Sequence, residues 1–123
     1  MRTIETTLAP AAIGPYTQAI VTGGLVFTSG QLPIDPVTGA IPSDIEGQAA
    51  RSIANLEAVL EAAGSGLDRV VKTTCFLKNM GDFAVFNAVY ARSFPGKPAR
   101  SCVEAAALPK GVLVEIEAVA EVN

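Results

Sequence analysis

Arg100, Cys102 and Glu104 recur at every second position of Lys97-Pro98-Ala99-Arg100-Ser101-Cys102-Val103-Glu104. If Arg100 to Ala106 is a strand, these three share one face, and Ser101, Val103 and Ala105 share the other. A guanidinium and a thiol then stand side by side. Arginine carries a permanent charge and a planar fork of donors that fits a carboxylate or phosphate, so a fixed Arg in a pocket is an anion clamp. The competing reading is a surface Arg paired with Glu104 or another acid. Glu115 lies between Val114 and Ile116, a costly place for a carboxylate without a partner or a purpose. It is either a general acid or base, or a carboxylate holding water near whatever Arg100 binds. Otherwise it is a charge that blunts a sheet edge. Glu117 shares its face, and side-chain chemistry alone does not separate the two.

Cys102 beside Arg100 is either a thiolate favoured by the guanidinium or a small buried hydrophobe. Cys75 sits in an apolar run and reads as core. Tyr16 follows Gly14-Pro15, a rigid lead-in that offers its hydroxyl to a ligand or its ring to an interface. Ser29-Gly30 at a strand end offers a hydroxyl and a backbone N–H to an anion. Asn87 is a polar group within a helical segment, suited to a hydrogen bond across a contact. Histidine is absent from the chain, which removes Ser-His-Asp and Cys-His catalysis, zinc motifs of the HExxH type and imidazole as a base.

The elements that must carry these groups fit one domain over residues 1–123. Half of the residues are hydrophobic and 17% are charged, which excludes disorder. The formal charge is -3, with scattered basic residues, so a nucleic-acid surface is not expected. Two cysteines too far apart for a CxxC motif read as reduced thiols able to form at most one bridge. The first residues have no apolar leader and no stretch is long enough to span a bilayer, so a cytoplasmic protein without membrane contact is the expectation.

Short strands are expected at Arg2 to Thr6, Tyr16 to Val21 and Leu25 to Ser29, the last two joined by a hairpin at Thr22-Gly23-Gly24. From Ser43 to Ala63 the period changes: Ile45, Ala49, Ile53, Leu56, Leu60 and Ala63 form the stripe of an amphipathic helix. Ser43 or Asp44 can cap its start and Gly64 its end. A strand over Leu67 to Leu77, a helix from Phe83 to about Phe94 with Asp82 as its cap, and strands at Arg100 to Ala106 and Val112 to Val119 complete the order. Two helices on one face of a mixed sheet leave the other face bare. In the last strand Val112, Val114, Ile116 and Ala118 form one row and Leu113, Glu115, Glu117 and Val119 the other, both too apolar for plain exposure. A cyclic oligomer is expected.

Five spaced segments resemble one family, the RidA or YjgF proteins, the reactive enamine/imine deaminases. They are Ala9 to Tyr16, Thr28 to Pro33, Val71 to Thr74 with Asp82-Phe83, Pro98 to Glu104, and Leu108 to Lys110 through Glu115 to Ala118. The resemblance spans nearly the whole chain. It implies an α+β, chorismate-mutase-like fold assembled as a homotrimer with small-molecule sites at the subunit clefts, and no metal or cofactor. It implies hydrolysis of 2-iminobutanoate and 2-iminopropanoate to 2-oxo acids and ammonia, Arg100 gripping the carboxylate and Glu115, in preference to Glu117, positioning water. By the same resemblance Cys102, Tyr16, Ser29, the N–H of Gly30 and Asn87 line the pocket. Pro95-Gly96-Lys97 is shorter than the family's usual loop before the Pro-Ala-Arg-Ser motif. The alternative is a trimer that binds small carboxylates, as a regulator or a chaperone, without turnover.

Overall fold

The architecture is described from a computed structural model covering residues 1–122. Six strands form one sheet: β1 (Arg2–Ile4), β2 (Ala19–Thr22), β3 (Leu25–Thr28), β4 (Val70–Leu77), β5 (Ala99–Glu104) and β6 (Val114–Glu121), in the spatial order β1-β2-β3-β6-β4-β5. Every neighbouring pair is antiparallel except β4 and β5, which run parallel. Helix α1 (Ile45–Ala62) links β3 to β4, and α2 (Phe83–Ser93) supplies the crossover from β4 to β5.

The helix over Ile45–Ala62 forms as its stripe requires. Asp44 accepts a hydrogen bond from Gly47 N at 2.8 Å, satisfying a donor that the first turn leaves free. At the other end Gly64 N donates to Glu61 O and Ser65 N to Leu60 O, a closing pair that needs the left-handed backbone Gly64 adopts, at φ 83°. The hairpin between β2 and β3 turns on Gly23 and Gly24, at φ 58° and 78°, the signs a two-residue turn of matching twist demands.

Both helices pack on one face. Ile53, Leu56, Val59 and Leu60 of α1 and Phe86 and Val89 of α2 share a core with Val114, Ile116, Ala118 and Ala120 of β6. The alternate residues Glu115, Glu117 and Val119 stay half-buried on the bare face, as the two-row reading of this strand requires. Phe27, 43% exposed, and Val103, 45% exposed, stand on the bare side of β3 and β5.

Several expected boundaries shift. Tyr16 is outside β2: Tyr16 N donates to Gly14 O at 2.9 Å, a tight turn at which Gly14 takes φ 133°, and pairing starts only at Ala19. Residues Leu67–Arg69 form a short 3-10 turn closed by Arg69 N onto Gly66 O, so β4 begins at Val70. Asp82 makes no side-chain capping bond, because a 3-10 turn over Met80–Asp82 leads directly into α2. Its first free donor, Met80 N, is taken by Glu104 Oε1 at 2.8 Å.

The long segment between β3 and α1 is clasped by polar groups on the buried side of α1. Ser52 Oγ donates to Gln31 O, Asn55 Nδ2 to Leu32 O and Ile34 O, and Gln48 Nε2 to Pro42 O. Gln48 Oε1 also accepts from Leu113 N at 2.7 Å, at the entrance to β6. Buried polar groups are tolerable only when paired, and here each pairs with backbone outside the named strands. The loop ahead of α1 and the start of β6 are thereby locked together.

Candidate active site

Arg100 projects to the helix side of the sheet. Its register partner on β4 is Thr73, which is fully buried and shares a 2.7 Å hydrogen bond with the Tyr90 hydroxyl of α2. The guanidinium carbon lies 4.8 Å from the Tyr90 ring centroid and 5.5 Å from that of Phe83. One of its nitrogens donates to Asn87 Oδ1 at 2.8 Å. Phe83, Asn87 and Tyr90 are spaced by four and then three along α2, so one stripe of the helix cradles the cation. The pairing with Glu104 considered from sequence does not occur, since that carboxylate caps Met80 instead. The ion pair among the described residues, Arg92 with Glu46 at 3.9 Å, is elsewhere on the surface. Arg100 is thus oriented by aromatic faces and an amide, without a carboxylate partner among the described residues. Beside it lies a shallow cleft of about 360 Å³ lined by Asn87, Tyr90, Lys97, Pro98 and Arg100.

Cys102 shares this face and the same environment. Burial raises its thiol above the ordinary range while the Arg100 charge pulls it back, and burial wins. It is a protonated thiol at neutral pH, the small-hydrophobe alternative of the two considered. Cys75, in the core, is pushed up to about 12 by burial.

Glu115 stands on the other side of the sheet. Its register partner on β4 is Phe76, three residues beyond Thr73, and an odd spacing reverses the face. Residues Ser29 to Gln31 run alongside, held by Gln31 N donating to Ile116 O at 2.8 Å and by Ile116 N donating back. Gly30 packs against the Glu115 carboxylate so closely that a side chain there would collide with it. Burial raises the Glu115 carboxyl above the usual carboxylate range, and the Glu117 charge on the same face raises it further. Ser29 Oγ donates to Thr17 O, which fixes the hydroxyl beside Gly30. Tyr16, 54% exposed, lines with Gly30 and Lys110 a larger cleft of about 680 Å³. Gln18 holds the strap that carries Tyr16: it accepts from Thr6 N at 2.7 Å and donates to Pro10 O at 2.8 Å.

The candidates therefore fall into two groups. Arg100, Asn87 and Cys102 are together on the helix side; Tyr16, Ser29, Gly30 and Glu115 are together near the bare face. The sheet stands between Arg100 and Glu115 of one chain. Gly30→Ala is expected to swing the Glu115 side chain into water. Its carboxyl should then titrate closer to the ordinary value by NMR, with a loss of about 1 kcal/mol, the cost of a displaced rotamer, read as a small drop in Tm.

The family model for Endoribonuclease L-PSP matches residues 6–122 of this sequence. The chain belongs to the Endoribonuclease L-PSP family. Its relatives in that family include the 2-iminobutanoate/2-iminopropanoate deaminase of Salmonella typhimurium, 52% identical over 97% of this chain and 96% of its own. The YjgF gene product of Escherichia coli has the same fold, with a TM-score of 0.95 and 49% identity over 98% of both chains. Escherichia coli TdcF, solved with bound serine, superimposes with a TM-score of 0.96 at 46% identity over the whole of both chains. The two helices on a mixed six-stranded sheet are therefore the L-PSP family fold, as the motif resemblance implies. The sequence reasoning did not single out Tyr90, Phe83 and Thr73 as support for Arg100, nor Gln18, Gln48 and Asn55 as clasps. The signal was present for the first group, because Asn87 interrupts an apolar stripe at helical spacing.

Proposed function

We propose that this chain hydrolyses 2-imino acids, 2-iminobutanoate and 2-iminopropanoate among them, to 2-oxo acids and ammonia. The observation that carries the reading is Arg100, a guanidinium fixed by Asn87, Tyr90 and Phe83 with no acidic partner among the described residues. Such a group takes a substrate carboxylate with little reorganisation. A relative bearing this activity at 52% identity and one solved with a bound amino acid support the same class of ligand.

An imino acid is electrophilic at C2, so the protein needs only to orient it and place one water in line. Water oxygen adds to C2 of the imine protonated at nitrogen (C=NH2+), and Glu115 accepts the proton the water loses. The C=N bond becomes a C–N single bond, its electron pair moving to nitrogen. Glu115 passes the proton on to that nitrogen, the C–N bond breaks, ammonia leaves, and loss of the hydroxyl proton gives the 2-oxo acid. The Gly30 N–H and Tyr16 supply donors around the reacting oxygen, Ser29 Oγ, whose proton goes to Thr17 O, offers an acceptor beside them, and Cys102 lines the carboxylate end. Because Arg100 and Glu115 of one chain face opposite ways, the reading requires Arg100 from one copy and Glu115 from its neighbour, in a cyclic trimer with the bare sheet faces inward.

The test is a coupled assay in which a threonine dehydratase generates 2-iminobutanoate and semicarbazide traps what remains. The wild-type chain should speed imine loss and ammonia release; no acceleration by folded protein would overturn the proposal. The pH profile adds a sign. Glu115 must be ionised to accept a proton, so kcat/KM rises with pH through its raised pKa, above the ordinary carboxylate range. Glu117→Gln removes the neighbouring charge, so the acid limb should move to lower pH. An unmoved limb would show that Glu115 is not the titrating base.

A further inference from the structure

We propose that Cys75 and Cys102 form an oxidisable dithiol that closes to a cross-strand disulfide when a hydroperoxide reaches Cys102. The two are register partners on the parallel strands β4 and β5. Neighbouring strands lie about 4.8 Å apart, inside the ~4.4–6.8 Å span of Cα separations that a disulfide bridges. Both side chains face α2, because Thr73 and Arg100, two residues before each, both meet Tyr90. The pair is invisible as a sequence motif, since β4 and β5 are joined through a whole helix.

Their surroundings give them different parts. Cys75 is fully buried, and its thiol points at Thr73 Oγ1 at 3.9 Å. Cys102 is partly exposed on the edge strand, so its sulfur, unlike that of Cys75, is the one a peroxide can reach. Cys102 therefore reacts first: its sulfur attacks the peroxide, the O–O bond breaks, and Cys102 becomes a sulfenic acid while the peroxide leaves as an alcohol or as water. The Cys75 sulfur then attacks the Cys102 sulfur, the S–O bond breaks, the thiol proton and hydroxyl leave as water, and the S–S bond forms. Two electrons pass from the two sulfurs to the peroxide. The strand β5 is at the sheet edge and pairs only with β4, so it can shift to meet the geometry of the bridge. A dithiol reduces the bridge again by thiol–disulfide exchange.

The consequence falls on the cradle of Arg100. Closing draws Cys75 sulfur away from Thr73, whose hydroxyl is shared with Tyr90, the ring under the guanidinium. The chemistry itself does not depend on the substrate proposed above.

The experiment treats the folded full chain with hydrogen peroxide, denatures it in N-ethylmaleimide and measures the mass. The expected product is a chain lacking two hydrogens, carrying no maleimide, monomeric on a denaturing non-reducing gel, and yielding one linked peptide that contains both cysteines. Dithiothreitol should restore two maleimide labels. In Cys75→Val the product should change to oxygen adducts on Cys102, and in Cys102→Ser the Cys75 thiol should survive treatment that closes the wild type. Oxygen adducts on wild-type Cys102 with Cys75 still labelled would overturn the proposal. So would cross-links between chains or two intact thiols.

Discussion

Arg100→Ala is expected to lower kcat/KM for 2-iminobutanoate by about three orders of magnitude while the chain stays folded. The carboxylate is the substrate's fixed charge, and truncating one side of a desolvated, hydrogen-bonded charge pair costs about 4 kcal/mol, or roughly a factor of 10³ at 1.4 kcal/mol per decade. The fold should bear the loss. The guanidinium lies over Tyr90 and Phe83 at the partly exposed edge strand, where a cation–aromatic contact is worth about 1 kcal/mol, and the core does not include it. Arg100→Lys should recover little. An ammonium is a point charge without the planar fork, so it cannot keep Asn87 as a partner and still present two parallel donors to a carboxylate. Steady-state kinetics beside circular dichroism and a melt would decide it. A fall of less than tenfold in a folded Arg100→Ala protein would remove the clamp from the mechanism.

The parts of this site that sequence reveals are those governed by local period. The stripe of α1, its Asp44 cap and its Gly64 stop follow from spacing that any helix must obey. The alternation of Arg100 and Cys102 and the two rows of β6 follow from the pleat. Which face of the sheet each row occupies is another matter. It depends on the register of β4 with both neighbours, and the three-residue step from Thr73 to Phe76 that separates Arg100 from Glu115 is a tertiary fact. The shared register of Cys75 and Cys102 is hidden for the same reason. Tyr16 escaped as a strand residue because the Gly14 turn postpones pairing. The polar groups Gln48, Ser52 and Asn55 hold backbone that no periodicity marks.

The bare side of the sheet links this division to assembly. Phe27 and Val103 are more than two-fifths exposed there, and Ile20, Phe76 and Val119 are half-buried on the same side. Covering such a face removes apolar area from water at about 25 cal/mol per Å². The carboxylate of Glu115 emerges on this face, and the edge strand β5 ends on the far side of β4 from it. In the proposed trimer a second copy seated on the face would bring its own edge strand, with Arg100, within reach of the first copy's Glu115, and association and catalysis would depend on one surface.

Mixing two dead variants should therefore restore activity. Arg100→Ala and Glu115→Gln are each expected to be inactive alone, since in the proposed trimer each would lack one group at every site. In co-refolded mixtures a site is complete when its arginine comes from a Glu115→Gln chain and its carboxylate from an Arg100→Ala chain. With equal amounts and random assembly that occurs at about one site in four in a closed ring, so roughly a quarter of wild-type turnover should return. Mixing without refolding controls for slow exchange and should return less. The double variant refolded with wild type sets the other limit: complete sites form only where two wild-type chains meet, again about one in four. Recovery in the first mixture has a different meaning, because neither parent is active. If both groups acted within one chain, the two dead variants would give nothing however they were combined, and the interfacial site would be excluded.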